Sequence, residues 1–329
     1  VTTSTRTSGE GGGPGGLDPD RALVSVICPA YDRGPALTRT LDSVLGQSHG
    51  RLELLVGDDG STDDTREVVR AAASEDPRVR LLELAHHGDP GPVRARLLAE
   101  ARGSVIAYVD HDDTWSPDHL ARSLESLAEL PPNTVHVAGA SYTEPTGGHA
   151  LSRHGGTWDR TSTVLDPLFE PTRVVHRAGL LRGRDGWRPS YGGMEDWDLW
   201  WRLSGRGTRF HLDDAVTVTI PLAPTTRRNR LRFLPTLTLA TVPDRTEATE
   251  AVERWARAHA QPGTELPAWL SLLALPTREG WTLGFGAPVV TRRHAQEIRR
   301  LLPTRLPHLV AEATETLTTV PAPTTRPGA

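Results

Sequence analysis

The chain has 329 residues, 37% of them hydrophobic, with 41 acidic residues against 37 basic ones and a net charge of −4. That length permits one large core plus a smaller appended unit, and the slight acidic excess argues against a general nucleic-acid binder, which carries a basic surface. The only cysteine, Cys28, excludes an intrachain disulfide and agrees with a cytoplasmic setting.

Residues 1–19 are rich in Thr, Ser and Gly, carry no hydrophobic leader segment, and are expected to be a disordered tail. Val24 to Cys28 reads as a first strand, leaving through Pro29-Ala30-Tyr31-Asp32-Arg33. Leu37, Leu41, Val44 and Leu45 then fall on one helical face. Leu52 to Val56 is a second strand, followed by Gly57-Asp58-Asp59-Gly60-Ser61-Thr62-Asp63, where Ser61, Thr62 and Asp63 are all candidate N-caps for a helix from Arg66. A strand at Val79 to Leu84 and a helix marked by Val93, Leu97 and Leu98 precede the apolar run Val105 to Val109. Ser116-Pro117 reads as an N-cap and first helical residue, with Leu120, Leu124 and Leu127 as the buried stripe. A further strand is expected at Thr134 to Ala140. Strands alternating with helices in this way predict an α/β fold with a mostly parallel central sheet. No apolar run approaches the ~20 residues needed to cross a bilayer.

The chemistry is concentrated at strand ends. Asp110, Asp112 and Asp113 follow the Val105–Val109 run, with His111 between them. Ligands of open α/β sheets gather at the carboxyl ends of strands. Adjacent carboxylates repel one another, and a divalent cation shared with substrate phosphates relieves that repulsion; hard oxygen ligands suit Mg²⁺ or Mn²⁺. The competing reading is an acidic loop that only caps the next helix. Asp32 and the Asp58-Asp59 pair end two other strands, so three acidic exits are expected to line one cleft.

Four segments in order, Cys28-Pro29-Ala30-Tyr31, Asp58-Asp59-Gly60-Ser61-Thr62-Asp63, Asp110-His111-Asp112-Asp113 and Glu195-Asp196-Trp197-Asp198-Leu199, resemble the motifs of family 2 glycosyltransferases. The resemblance covers residues 22 to about 220 and implies a GT-A fold, a nucleotide-sugar donor (UDP- or dTDP-), and Mn²⁺ or Mg²⁺. It implies Asp112 or Asp113 as a metal contact, with Asp110 near the donor ribose or behind the ion. Pro29 and Tyr31 belong to the donor-binding motif, and Asp32 and Asp59 are implied at the base and ribose of the nucleotide. For Asp58, a ligand role and bonding to turn amides stay open. Asp196 is implied as the general base of an inverting displacement, with Glu195 holding the acceptor or tuning its neighbour; the alternative is that both acids only favour a helix N-terminus.

Trp197, Trp200 and Trp201 are either a sugar platform or core, and Arg227, Arg228, Arg230 and Arg232 either close over the diphosphate or form a solvated face. Tyr191-Gly192-Gly193 reads as a flexible approach to the Glu-Asp pair. His86 and His87 read as loop residues. An aromatic-Arg-x-His element common in the family is missing after Val216–Ile220, where Pro221-Leu222-Ala223-Pro224 stands instead. The expected domains are a transferase unit over 20–225, a largely helical extension over 226–313 and a disordered tail over 314–329. The acceptor (secondary metabolite, envelope glycan or protein) is not legible. Two other functions fit the same acids less well: a nucleotidyltransferase making a nucleotide-sugar, which wants a better phosphate loop than Pro29–Gly34, and a catalytically silent sugar-nucleotide-binding protein, which has no need of Glu195-Asp196.

Overall fold

The computed structural model describes residues 16–143, 149–153, 158–165, 169–181, 186–189, 194–221, 233–259, 270–289 and 291–318. Most of the presumed N-terminal tail, Tyr191-Gly192-Gly193, and the arginines at 227, 228, 230 and 232 lie outside the described residues.

The first half follows the expected alternation: β1 (Val24–Ala30), α1 (Gly34–Leu45), β2 (Leu52–Asp58), α2 (Thr65–Glu75), β3 (Val79–Glu83), α3 (Pro90–Glu100) and β4 (Val105–Tyr108). Strands β3, β2, β1 and β4 lie side by side in parallel. All seven residues of β1 and of β2 are buried, because helices cover both faces of this part of the sheet. Val24, Val26, Cys28 and Ala30 pack into the core on one face, while Ile27 and Leu55 face the other. This explains the near-continuous apolar runs. Cys28 is a buried hydrophobe here, with its thiol pushed up by burial.

Beyond β4 the sheet becomes mixed. The short β5 (Thr114–Trp115) and helix α4 (His119–Glu129) lead into β6 (Thr134–Thr143), β7 (His149–Arg153), α5 (Arg160–Leu165), β8 (Val174–Arg177), α6 (Glu195–Ser204) and β9 (Arg209–Pro221). The order continues β4-β8-β6-β9-β5, with β8 antiparallel to both β4 and β6, β9 parallel to β6, and β7 beside β6. Helix α4 begins two residues later than the Ser116-Pro117 signal suggests: Ser116 instead starts a turn, its carbonyl accepting from the His119 amide at 3.1 Å.

The C-terminal extension has the helices α7 (Arg245–His259), α8 (Arg292–Arg305) and α9 (Pro307–Thr318). It also contains an antiparallel sheet of β10 (Phe233–Val242), β11 (Ser271–Thr277) and β12 (Gly280–Pro288), with β12 in the centre. Leu283, Phe285 and Ala287 alternate along β12 into the core, a period-2 signal that a helical reading of this segment passes over. The helical order runs past the expected boundary at 313, because Leu309, Ala313 and Leu317 form one buried stripe at four-residue spacing. The extension shares its core with Met194, Trp197 and Trp201 of the transferase unit. Among the described residues no helix is long and apolar enough to cross a membrane.

Gly57 lets α3 approach β2: a Cβ there would stand 2.7 Å from Val93 Cγ1 and 3.2 Å from Leu97 Cδ1. Gly57→Ala is therefore expected to cost about 1–3 kcal/mol through overpacking. A urea unfolding midpoint that does not move would contradict this tight seam.

Candidate active site

The exits of β1, β2 and β4 and the start of α6 carry the acids. After β1, Asp32 adopts a positive φ of 46°, a conformation that aspartate tolerates better than most residues. Its amide donates to Ser61 Oγ at 3.1 Å and its Oδ1 accepts from the Thr62 amide at 2.7 Å. That amide holds the Asp32 carboxyl below its usual range. Asp63 Oδ1 accepts from the Thr65 amide at 3.0 Å and Asp63 Oδ2 from the Gly34 amide at 3.2 Å. The two loops are thus sewn together by side chains that the sequence offers as helix caps. Pro29 is buried within β1, whereas Tyr31 is one of the few large apolar side chains left exposed.

The contacts of Asp58 are with its own turn and with α2. The residue is fully buried; its Oδ1 accepts from the Ser61 amide at 3.1 Å and its Oδ2 from Arg66 Nε at 2.6 Å. Asp59, also buried, grips the loop after β3. Oδ1 accepts from the His87 amide at 2.8 Å and from His87 Nδ1 at 2.9 Å, and Oδ2 accepts from the Gly88 amide at 3.0 Å.

The turn after β4 is braced from beneath. The Asp110 amide donates to Thr172 Oγ1 at 2.7 Å, Trp115 Nε1 donates to the Thr172 carbonyl at 3.0 Å, and Thr40 Oγ1 donates to the Asp113 carbonyl at 2.8 Å. His111 and Asp112 are half-buried, while Asp113 is buried. Burial, then the charges of Asp110 and Asp112, push the Asp113 carboxyl well above the usual carboxylate range.

Arg94, in α3, joins the two acidic halves. Its Nη2 donates to Asp110 Oδ1 at 2.6 Å and its Nη1 to Glu195 Oε1 at 2.9 Å, and its guanidinium lies 4.7 Å from the Trp187 ring centre. The side chain is 2% exposed. Sequence reasoning passed over this residue. The available signal was an arginine in register with Val93 and Leu97 on the buried stripe of a helix, where an unpaired charge is not tolerated.

At the start of α6, Glu195 is buried against Arg94 and Asp196 is half-buried, its Oδ1 accepting from the Trp197 amide at 2.7 Å. Desolvation and the Glu195 charge push the Asp196 carboxyl up to about 7, against the opposing pull of Arg94. A carboxyl so poised takes and releases protons near neutral pH. The three tryptophans behind it are core: Trp197 and Trp200 are fully buried and Trp201 nearly so. Trp197 Nε1 donates to the Thr163 carbonyl at 2.6 Å, and Trp200 packs against Phe169 and Trp187. A separate groove of about 500 Å³ between α1 and α2, lined by residues such as Thr38, Asp42 and Val68, contains none of these groups.

Acids at the exits of parallel strands, with a carboxyl raised toward neutrality at a helix start, stand where open α/β sheets bind their ligands. The family model of glycosyl transferase family 2 matches residues 25–185, about half of the chain. Glu195 and Asp196 lie just beyond the matched segment. The chain is 36% identical over 109 residues to TuaG of Bacillus subtilis, assigned to teichuronic acid biosynthesis, covering 33% of this chain and 43% of TuaG. It is 40% identical over 102 residues to the succinoglycan biosynthesis protein ExoO of Rhizobium meliloti, covering 31% of this chain and 29% of ExoO. The matched segments thus span less than half of either relative. Among solved structures, S. aureus TarS in complex with UDP-GlcNAc aligns with a TM-score of 0.53 at 20% identity, covering 65% of this chain and 62% of TarS. The mannosyltransferase PcManGT of Pyrobaculum calidifontis, in complex with GDP-Man and Mn²⁺, aligns with a TM-score of 0.52 at 19% identity, covering 92% and 74%. The fold is GT-A.

Removing Arg94 takes the guanidinium away from Asp110 and from the buried Glu195. Arg94→Met is expected to lower stability by about 3–5 kcal/mol at pH 7. Equal urea stability of the two proteins at pH 7 would show that the Arg94–Glu195 pair carries no such strain.

Proposed function

We propose that this protein is a metal-dependent inverting glycosyltransferase that moves a sugar from a UDP- or dTDP-sugar to an acceptor hydroxyl. The observation that carries this reading is the convergence, through Arg94, of the Asp110–Asp113 turn and the Glu195-Asp196 helix start. In a family 2 chain, these are the two halves that such a displacement needs. Nucleotide-sugars are also what the same fold holds in the TarS and PcManGT complexes.

The donor nucleotide is assigned to the exits of β1 and β2, against Pro29, Tyr31, Asp32 and the turn held by Asp59. The acidic turn suits a hard divalent cation. Its donors are carboxylate oxygens, and the mutual repulsion that raises Asp113 is the kind a cation relieves. Among the described residues no three His, Cys, Asp or Glu side chains form a complete cage, so Asp112, with Asp113 beside it, would share Mn²⁺ or Mg²⁺ with substrate oxygens. When bound, the ion supplies Lewis-acid stabilisation of the departing diphosphate. Asp110, held by Arg94, lies behind that turn and faces the donor ribose.

Asp196 is assigned as general base. Its Oδ2 takes the acceptor hydroxyl proton as the oxygen attacks the anomeric carbon and the bond to the diphosphate breaks. Glu195 stays with Arg94, and its charge helps keep Asp196 basic enough for the task. A nucleotidyltransferase would release pyrophosphate from a nucleoside triphosphate, whereas the reaction proposed here releases a nucleoside diphosphate.

Three measurements test these assignments. Calorimetric titration with UDP in Mn²⁺ should give micromolar binding that EDTA or Asp112→Ala abolishes. Silence with UDP, dTDP and GDP alike would remove the donor site. Second, Asp196→Asn should retain donor binding and lose transfer by at least about a hundredfold. Because an elevated carboxyl is a base only when ionised, wild-type turnover should rise with pH through about 7. A profile flat from pH 5 to 8 would exclude Asp196 from the proton transfer.

A further inference from the structure

The loop after β3 places two histidines in the same cleft. His86 reaches across the exit of β2 to the residue that leaves β1: its ring centre lies 4.4 Å from that of Tyr31, at an interplanar angle of 32°. Gly60 permits this approach. It has a φ of +77°, and a Cβ there would stand 3.0 Å from His86 Cβ and the His86 amide nitrogen. The loop is then fixed through Asp59, by the His87 and Gly88 amides.

The same contacts exhaust Asp59. Each carboxylate oxygen has about two lone-pair positions. Oδ1 faces the His87 amide and His87 Nδ1; Oδ2 faces the Gly88 amide and, at 3.3 Å, His86 Nδ1. His86 Nδ1 also lies 2.8 Å from the Asp59 carbonyl oxygen. A carboxylate and a carbonyl only accept, so Nδ1 of both rings carries the proton. That leaves Nε2 as the ring nitrogen open to a ligand, and an acceptor whenever the imidazole is neutral. Both rings remain partly solvent-exposed, at 49% for His86 and 41% for His87.

We propose that the His86–His87 pair reads the donor base, one Nε2 atom accepting from the ring N–H of uracil, thymine or guanine, and that Asp59 is a positioning residue for the two rings. The inference rests on the proposed donor site and narrows its substrate to nucleotides with such a ring N–H. Cytosine, similar in size, presents a bare ring nitrogen at the same place, so two lone pairs would face each other. Tyr31 and the His86 ring together supply the aromatic wall beside the base.

The test is calorimetric binding of UDP and CDP to the full chain, with Mn²⁺ present. Wild-type protein is expected to favour UDP by about tenfold or more, the scale of one hydrogen bond lost against a repulsive pair. His86→Leu combined with His87→Leu should bring that ratio to near one, by weakening UDP. Glutamine at both positions offers an acceptor oxygen near the place of Nε2 and should restore part of the preference. The melting temperature of each variant controls for folding, and the two single leucine variants serve if the pair unfolds. UDP binding with an unchanged UDP:CDP ratio in the leucine variants would overturn the histidine reading alone. Failure of wild-type protein to bind any nucleoside diphosphate would overturn both this inference and the donor site beneath it.

Discussion

A guanidinium can be buried only where its charge is met, and Arg94 sets the terms for the rest of the cleft. It is 2% exposed and bonds carboxylates 16 and 101 residues away along the chain. Those two partners close the carboxyl end of the parallel sheet to the start of α6, with the Trp187 ring against the guanidinium. Everything acidic nearby is conditioned by this pairing. Asp110 and Glu195 bond it directly, whereas burial and neighbouring carboxylate charge push Asp113 and Asp196 up. One arginine therefore holds Asp110 and Glu195 in place, while Asp113 and Asp196 beside them carry the raised carboxyls.

Helix α6 must hold its acids steady from behind, and the C-terminal extension is built into that support. Trp197 and Trp201 project into the core of the extension, both against the buried His294 of α8. His294 Nε2 donates to the Val164 carbonyl at 2.7 Å, and burial pushes the ring down to about 4, so it stays neutral and suits an apolar interface. Arg160 adds a second tie, bonding the Trp201 carbonyl at the end of α6 and both carboxylate oxygens of Glu297 in α8. Helix α6 is thus shared between the two cores. Its aromatic density serves packing, not sugar contact.

The sheet ends show the same economy of polar groups. Asp58 and Asp63 shape turns, and Asp59 fastens a loop, so most of the acids after β2 are consumed in holding backbone. Their abundance in the sequence is a poor guide to how many touch a ligand. A short polar side chain beside free amides in a tight turn bonds locally before it bonds a substrate.

The sequence by itself determined the α/β alternation, the two fully buried central strands and the acidic strand ends, because these depend on local periodicity and on residue types that few environments tolerate. It also carried the four motifs that mark the family. The tertiary structure alone decided which acids are free. Whether Asp58 faces a turn, whether Asp59 retains an acceptor position and whether Arg94 meets a partner depend on residues brought together from distant parts of the chain. The small antiparallel sheet of the extension was hidden for a related reason: β10 and β11 are only partly buried strands whose pattern acquires meaning once β12 lies between them. Local chemistry writes the elements. Charge pairing and burial across the fold assign their roles.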